Sequence, residues 1–185
     1  MDDFLADLGH EFRRHKGMAE RAMAQLDDQD FFHRPGERVN PLALIVKHLA
    51  GNMASRWTDF LTTDGEKPTR DRDGEFVLND EDTRENLMAA WERGWGALFD
   101  TLATLSDADL PATVTIRGEA HSARQALLRG MSHVAYHTGQ ILFLVRLMRP
   151  DGAWQTIPPG QSHGASGGYR LPEPGPGAVS GRSHP

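Results

Sequence analysis

The segment MSHVAYHTGQI places His133 and His137 four residues apart. On a helix this spacing stacks both rings on one face, about one turn apart. The same face continues through Gln140, Ile141, Leu144 and Met148, so it points to a core rather than to solvent. An imidazole there must be hydrogen-bonded or bound, because an unpaired buried polar group costs roughly 1–3 kcal/mol. Backbone, side-chain or water partners would satisfy the pair. So would a divalent metal, for which neutral imidazole is the commonest ligand. A metal needs a third ligand, and in helical bundles that comes from a facing helix. His48, flanked by apolar positions in Leu44-Ile45-Val46-Lys47-His48-Leu49, is the best candidate. Three histidines leave positions open for water or substrate, the arrangement of a catalytic rather than a closed structural centre.

Other polar residues stand close to these in sequence. Asn52 follows His48 by one helical turn and Gln140 follows His137 by three residues. Either could orient a ring or contact a bound group. Tyr136 points about 100° away from the histidine face and reads as core or dimer packing. Arg56 and Asp59 read as a surface charge pair or as the mouth of the site, and Trp57, Phe60 and Trp91 as core. His10 and His15, in HEFRRH, are five residues apart, which sets their rings about 140° apart on a helix, so they are not a metal pair. His33, His121, His163 and His184 fall in linkers, at a helix boundary or in the tail and read as solvated.

Four long amphipathic patterns must carry these side chains. Apolar residues recur at steps of three and four from about Asp2 to Leu26. A second helix is predicted from Asn40-Pro41, as N-cap and first helical residue, to about Asp64-Gly65. A third runs from about Asn79–Asp82 to Leu105, with Gly94 and Gly96 either permitting close helix approach or costing stability. The fourth opens on the Ser122-x-x-Gln125 capping box and runs from Ala123 to Met148, where Pro150 stops it. Ala112–Gly118 alternates and reads as a short strand or extended linker. The expected fold is therefore an all-α four-helix bundle over residues 1–150. The long linker from Asp64 to Asn79 is either functional or a crossover. Seven of the 11 prolines fall from Pro150 onward. Residues 151–170, with Trp154, Ile157 and Tyr169, read as an extended docked segment, and 171–185 as a disordered tail.

Composition narrows the chemistry. With 20 Lys+Arg against 26 Asp+Glu the net charge is −6, a poor match to a nucleic-acid partner. No cysteine is present, which excludes disulfides, thiolate nucleophiles and cysteine metal sites. The longest apolar run, Ile141–Val145, is too short to span a bilayer, and the acidic start Met1-Asp2-Asp3 is unlike a signal peptide, so no membrane partner and a cytoplasmic location are expected.

The stretch from Asn40 to Lys67, NPLALIVKHLAGNMASRWTDFLTTDGEK, together with HVAYHTGQI, resembles the DinB-like superfamily, and within it an uncharacterised bacterial branch. The resemblance spans about Phe4 to Pro159. It implies an up-up-down-down bundle with one long crossover and a divalent metal, zinc or nickel, held by His48, His133 and His137. Some relatives transfer a low-molecular-weight thiol to an electrophile, so it also implies a small-molecule substrate, with thiol transfer or hydrolysis as the reaction. The absence of protein cysteine fits a nucleophile that arrives with the substrate. Homodimerisation is a further implication. Two other readings of the same residues are a non-catalytic, metal-binding stress-response bundle and a structural dimerisation module.

Overall fold

The four amphipathic patterns become four long helices in the computed structural model, which describes residues 4–156. Helix α1 is Phe4–Met23, α3 Leu42–Trp57, α4 Arg84–Thr104 and α5 Ala123–Met148. A five-residue helix α2, Asp28–Phe32, follows α1, capped by the Asp27 side chain accepting from the Asp30 amide. Between α4 and α5 lies an antiparallel hairpin, β1 Thr113–Ile116 and β2 Glu119–Ser122. The fold is thus the expected all-α bundle with one small sheet added. No described helix is long and apolar enough to cross a membrane.

Contacts along the helices fix their directions. Lys47 meets Asp82 near the start of α4, Gly94 packs on Ala50 and Met53, and Thr101 bonds the Trp57 carbonyl, so α3 and α4 run parallel. Phe4 meets Arg124 at one end of α1 and α5, and Gln25 meets Ala153 just beyond the other, so these two are parallel as well. Arg13 meets Phe99 while Lys16 meets Glu92, which makes α1 and α4 antiparallel. Trp57 packs on Gly130 while His48 meets His133, which makes α3 and α5 antiparallel. In chain order the long helices run up, down, down, up, not in the up-up-down-down order that the resemblance implies. Consecutive parallel helices need a connection as long as a helix, and residues 58–83 supply it.

That crossover starts earlier than the sequence predicts, because α3 ends at Trp57 rather than near Asp64. Thr58 turns extended and Asp59 enters the left-handed region at φ 50°. The Asp59 carbonyl then accepts from the amides of Thr62 and Thr63, closing a turn that buries Phe60 against Trp57. At the other end of α3 the cap is Pro41 itself, so the expected Asn40 cap is displaced by one residue. Helix α4 starts two residues beyond the expected window, with Thr83 as its cap. The hairpin turns on Arg117 and Gly118, both at positive φ as a two-residue turn requires. The Asp64 carboxylate accepts from both of their amides and from that of Glu66, which holds its pKa down at about 2. The second strand of this hairpin had no alternation to reveal it.

Aromatic rings fill the bundle. Trp91 and Trp95 are fully buried, Trp95 stacks on Phe99 at 5.6 Å, and Phe12 contacts both Trp57 and Trp95. Trp57, Phe60 and Trp91 are therefore core, as the sequence reading has them. Residues 153–155 lie beside α1, with Gln155 accepting from Arg21 and the Ala153 carbonyl accepting from Gln25, and the guanidinium of Arg146 lies over the Trp154 ring. The remainder of the expected docked segment and the expected disordered tail lie outside the described residues.

The two glycines of α4 separate cleanly. A Cβ on Gly94 would come within 2.9 Å of the Ala50 carbonyl oxygen, whereas one on Gly96 meets nothing within 4 Å. Gly94→Ala should force α3 and α4 apart and lower the unfolding midpoint. Gly96→Ala should raise stability by about 0.5–1 kcal/mol through helix propensity alone. Denaturant titration of the two variants checks both signs.

Candidate metal centre

Antiparallel packing brings the middle of α3 level with the middle of α5. His48 Nε2 lies 3.2 Å from His133 Nε2, which lies 3.2 Å from His137 Nε2. Among the described residues these three form a group whose candidate ligand atoms all lie within 4.8 Å of one another. The structure thus brings His48, His133 and His137 together. His10 and His15 stay apart on α1, and the His121 ring is tied to the Glu119 carbonyl and Arg129.

The hydrogen bonds around the rings decide what they can bind. His48 Nδ1 lies 2.8 Å from a carboxylate oxygen of Glu75, which can only accept, so Nδ1 carries the proton. His137 Nδ1 lies 2.8 Å from Gln140 Oε1, and the amide of Gln140 is oriented by its own N–H donation to the Tyr136 hydroxyl. In the neutral tautomers both Nε2 atoms then present lone pairs toward His133 Nε2. His133 has one proton at most to offer there, so at least one contact sets lone pair against lone pair. A cation at the shared focus relieves this, and the donor set of three neutral imidazoles suits a first-row divalent ion.

Burial keeps His133 and His137 neutral. His133 is pushed down to about 3, first by desolvation, then by repulsion from His137 and His48 wherever those rings are protonated, and by the charges of Arg56 and Arg70. Desolvation lowers His137 to about 4, partly offset by its bond to Gln140. Neutral imidazole is the form a metal takes.

Glu75 had no distinguishing signal in RDRDGEF beyond its place in the long linker. It sits on a single 3-10 turn, Gly74–Phe76, with its side chain buried against α3. A Cβ on Gly51 would overlap the Glu75 carboxylate, so the glycine in the KHLAGNM segment makes the notch that admits it. Burial alone would raise the Glu75 pKa, but bonds from His48 and Arg70 outweigh it and hold the carboxyl below its ordinary value. Arg70 grips both Glu75 oxygens at 2.7 Å and reaches Glu66 at 2.9 Å. Arginine, carboxylate and imidazole form a line that fixes the tautomer and orientation of the His48 ring.

Gln140 therefore holds a ring, while Asn52 lines a cleft beside the triad and the rings are held by Glu75 and Gln140 instead. Tyr136 is 63% exposed, not core, and its ring packs against His137 at 4.9 Å. Arg56 and Asp59 form no surface pair: Arg56 is buried and Asp59 makes the turn after α3. Two clefts open on the triad. One, of about 600 Å³, is walled by Ile45, Phe76, Phe143 and Leu144. The other, of about 500 Å³, is walled by arginines.

Removing the charge at Glu75 tests the line. Glu75→Gln should weaken metal binding by about 10–100-fold, read by competition with a chromophoric chelator. Unchanged affinity would mean that the contact does not position His48. Acid stability tests the neutral rings. An unfolded histidine titrates near pH 6.5 and these two titrate lower in the fold, so the unfolded chain binds more protons between the two values. Metal-free protein should lose stability as pH falls from about 7 to about 5, and a His133→Gln/His137→Gln variant should lose less. Equal slopes in urea denaturation would contradict the assignment.

No curated protein and no solved structure matches the chain. One family model matches residues 1–161, a span that includes all three histidines, Glu75 and Gln140. The chain belongs to the family described as "Protein of unknown function (DUF1572)".

Proposed function

We propose that this chain is a DinB-like metalloenzyme in which His48, His133 and His137 hold a divalent transition metal, zinc or nickel, and activate a small thiol or water for transfer or hydrolysis. The observation that carries this reading is the convergence of three Nε2 atoms, two of them with Nδ1 anchored on acceptors, at the floor of open clefts. A closed structural centre would use a fourth protein ligand and exclude solvent. Here the described residues supply three.

The metal, when bound, would supply Lewis acidity that lowers the pKa of a thiol or water. The chain's own residues do the rest. Glu75 and Gln140 hold two rings in the ligating tautomer. Phe76 and Phe143 shape an apolar wall for an organic substrate, and Tyr136 stands at its edge with its hydroxyl already engaged by Gln140. The lack of cysteine fits a thiol nucleophile that comes with the substrate. Glu75 is the carboxylate bonded to the triad, and Arg70 pins it, so it is poorly placed to shuttle protons.

The test is elemental analysis of the purified chain together with turnover of a thiol and an electrophile. About one metal per chain is expected, falling by at least tenfold in His48→Ala with loss of turnover. Wild-type protein that takes up neither zinc nor nickel would overturn the reading. Stoichiometric metal without turnover of any thiol or ester would leave the non-catalytic metal-binding reading in its place.

A further inference from the structure

The histidine stripes on α3 and α5 both continue into arginine. Four and eight residues after His48, on the same face, stand Asn52 and Arg56, and one turn before His133 stands Arg129. Because the helices are antiparallel, Arg56 and Arg129 lie on the same side of the triad and line one cleft, joined by Arg117 from the hairpin turn and Arg72 from the crossover. No Asp or Glu lines this cleft.

Arg56 is the informative member. It is 4% exposed, its buried Nε has no hydrogen-bond partner, and it forms no ion pair among the described residues. The carboxylate whose field reaches it, Glu66, is held instead by Arg70 at 2.9 Å and Arg117 at 3.3 Å. Burial and the neighbouring charges of Arg129, Arg70 and Arg117 lower the Arg56 pKa to about 10, so it remains charged at neutral pH. A buried, unpaired guanidinium facing further guanidinium groups is costly unless an anion completes it. The planar guanidinium fork pairs bidentately with two oxygens of a carboxylate or a phosphate.

We propose that the arginine-walled cleft beside His133 is an oxyanion subsite, which receives a carboxylate or phosphate group of the substrate while its reacting end lies over the triad. The subsite as an anion site stands on the arginines alone, and its use in placing a substrate rests on the metal-centre reading above. It narrows the substrate class to small organic anions with an apolar portion, since the adjoining cleft sets Ile45, Phe76, Phe143 and Leu144 beside Arg38 and Arg72.

Calorimetric titration of the full chain with inorganic phosphate and, separately, with acetate tests it, with and without one equivalent of zinc. At least one anion should bind without zinc, and the tighter of the two identifies the group. Arg56→Met and Arg129→Gln should each weaken that binding by at least tenfold while bound zinc stays unchanged. Arg129 is exposed, so its variant keeps the test open if Arg56→Met does not fold. Absence of binding by either anion, or equal binding by the Arg129→Gln variant, overturns the subsite. Loss of zinc in that variant would also overturn it, by showing the arginine to be structural. Anion binding by a chain that takes up no metal would leave the subsite standing while the metal reading fails.

Discussion

Three imidazole Nε2 atoms that face one another with at most one proton among them set lone pair against lone pair unless something positive sits between them. That electrostatic constraint governs the middle of this molecule. His48 and His137 are each brought to 3.2 Å from His133, and Glu75 and Gln140 fix these outer two rings in the tautomer that points a lone pair at it. Burial penalises the imidazolium at His133 and His137, which closes protonation as an escape for those two rings. The arrangement is costly for an empty core and well suited to a cation.

The crossover is the device that holds this arrangement. Parallel α3 and α4 oblige the chain to travel back along the bundle, and the returning segment is placed where it can contribute to the centre. Lys47 fastens its far end through Asp82 and the Val77 carbonyl, and Ser55 fastens its near end through Gly65 and Lys67. Between these ties Glu75 enters the notch at Gly51 and Arg70 closes over it. The hairpin is bound to the same segment by Asp64, so its turn, with Arg117, is fixed beside the cleft.

Charge is distributed unevenly around the triad. On one side acids are matched: Glu75 and Glu66 both engage Arg70. On the other, Arg56 and Arg129 face a cleft lined by no acid. The chain is net acidic at −6, so this local excess of positive charge is a property of placement and not of composition.

The sequence by itself determined the four long helices and the core, but not the short α2. Phe12, Trp57, Trp91, Leu98 and Ile141 recur at helical spacing because each helix must bury one stripe, and they are buried. The i,i+4 pair of His133 and His137 was legible for the same reason: geometry within one helix follows from spacing alone. His48 was legible as a polar residue on a buried face, but its meeting with the pair depended on helix direction and register, which periodicity does not encode. Glu75 and Arg70 became visible only in the tertiary structure, and the choice between the two readings of Arg56 was made there. The first two sit in an irregular crossover, where no period ties position to face, and Arg56 read equally as a surface charge or as the mouth of the site until packing buried it beside the cleft. Local spacing places side chains on a helix; only packing between helices decides which of them share a site.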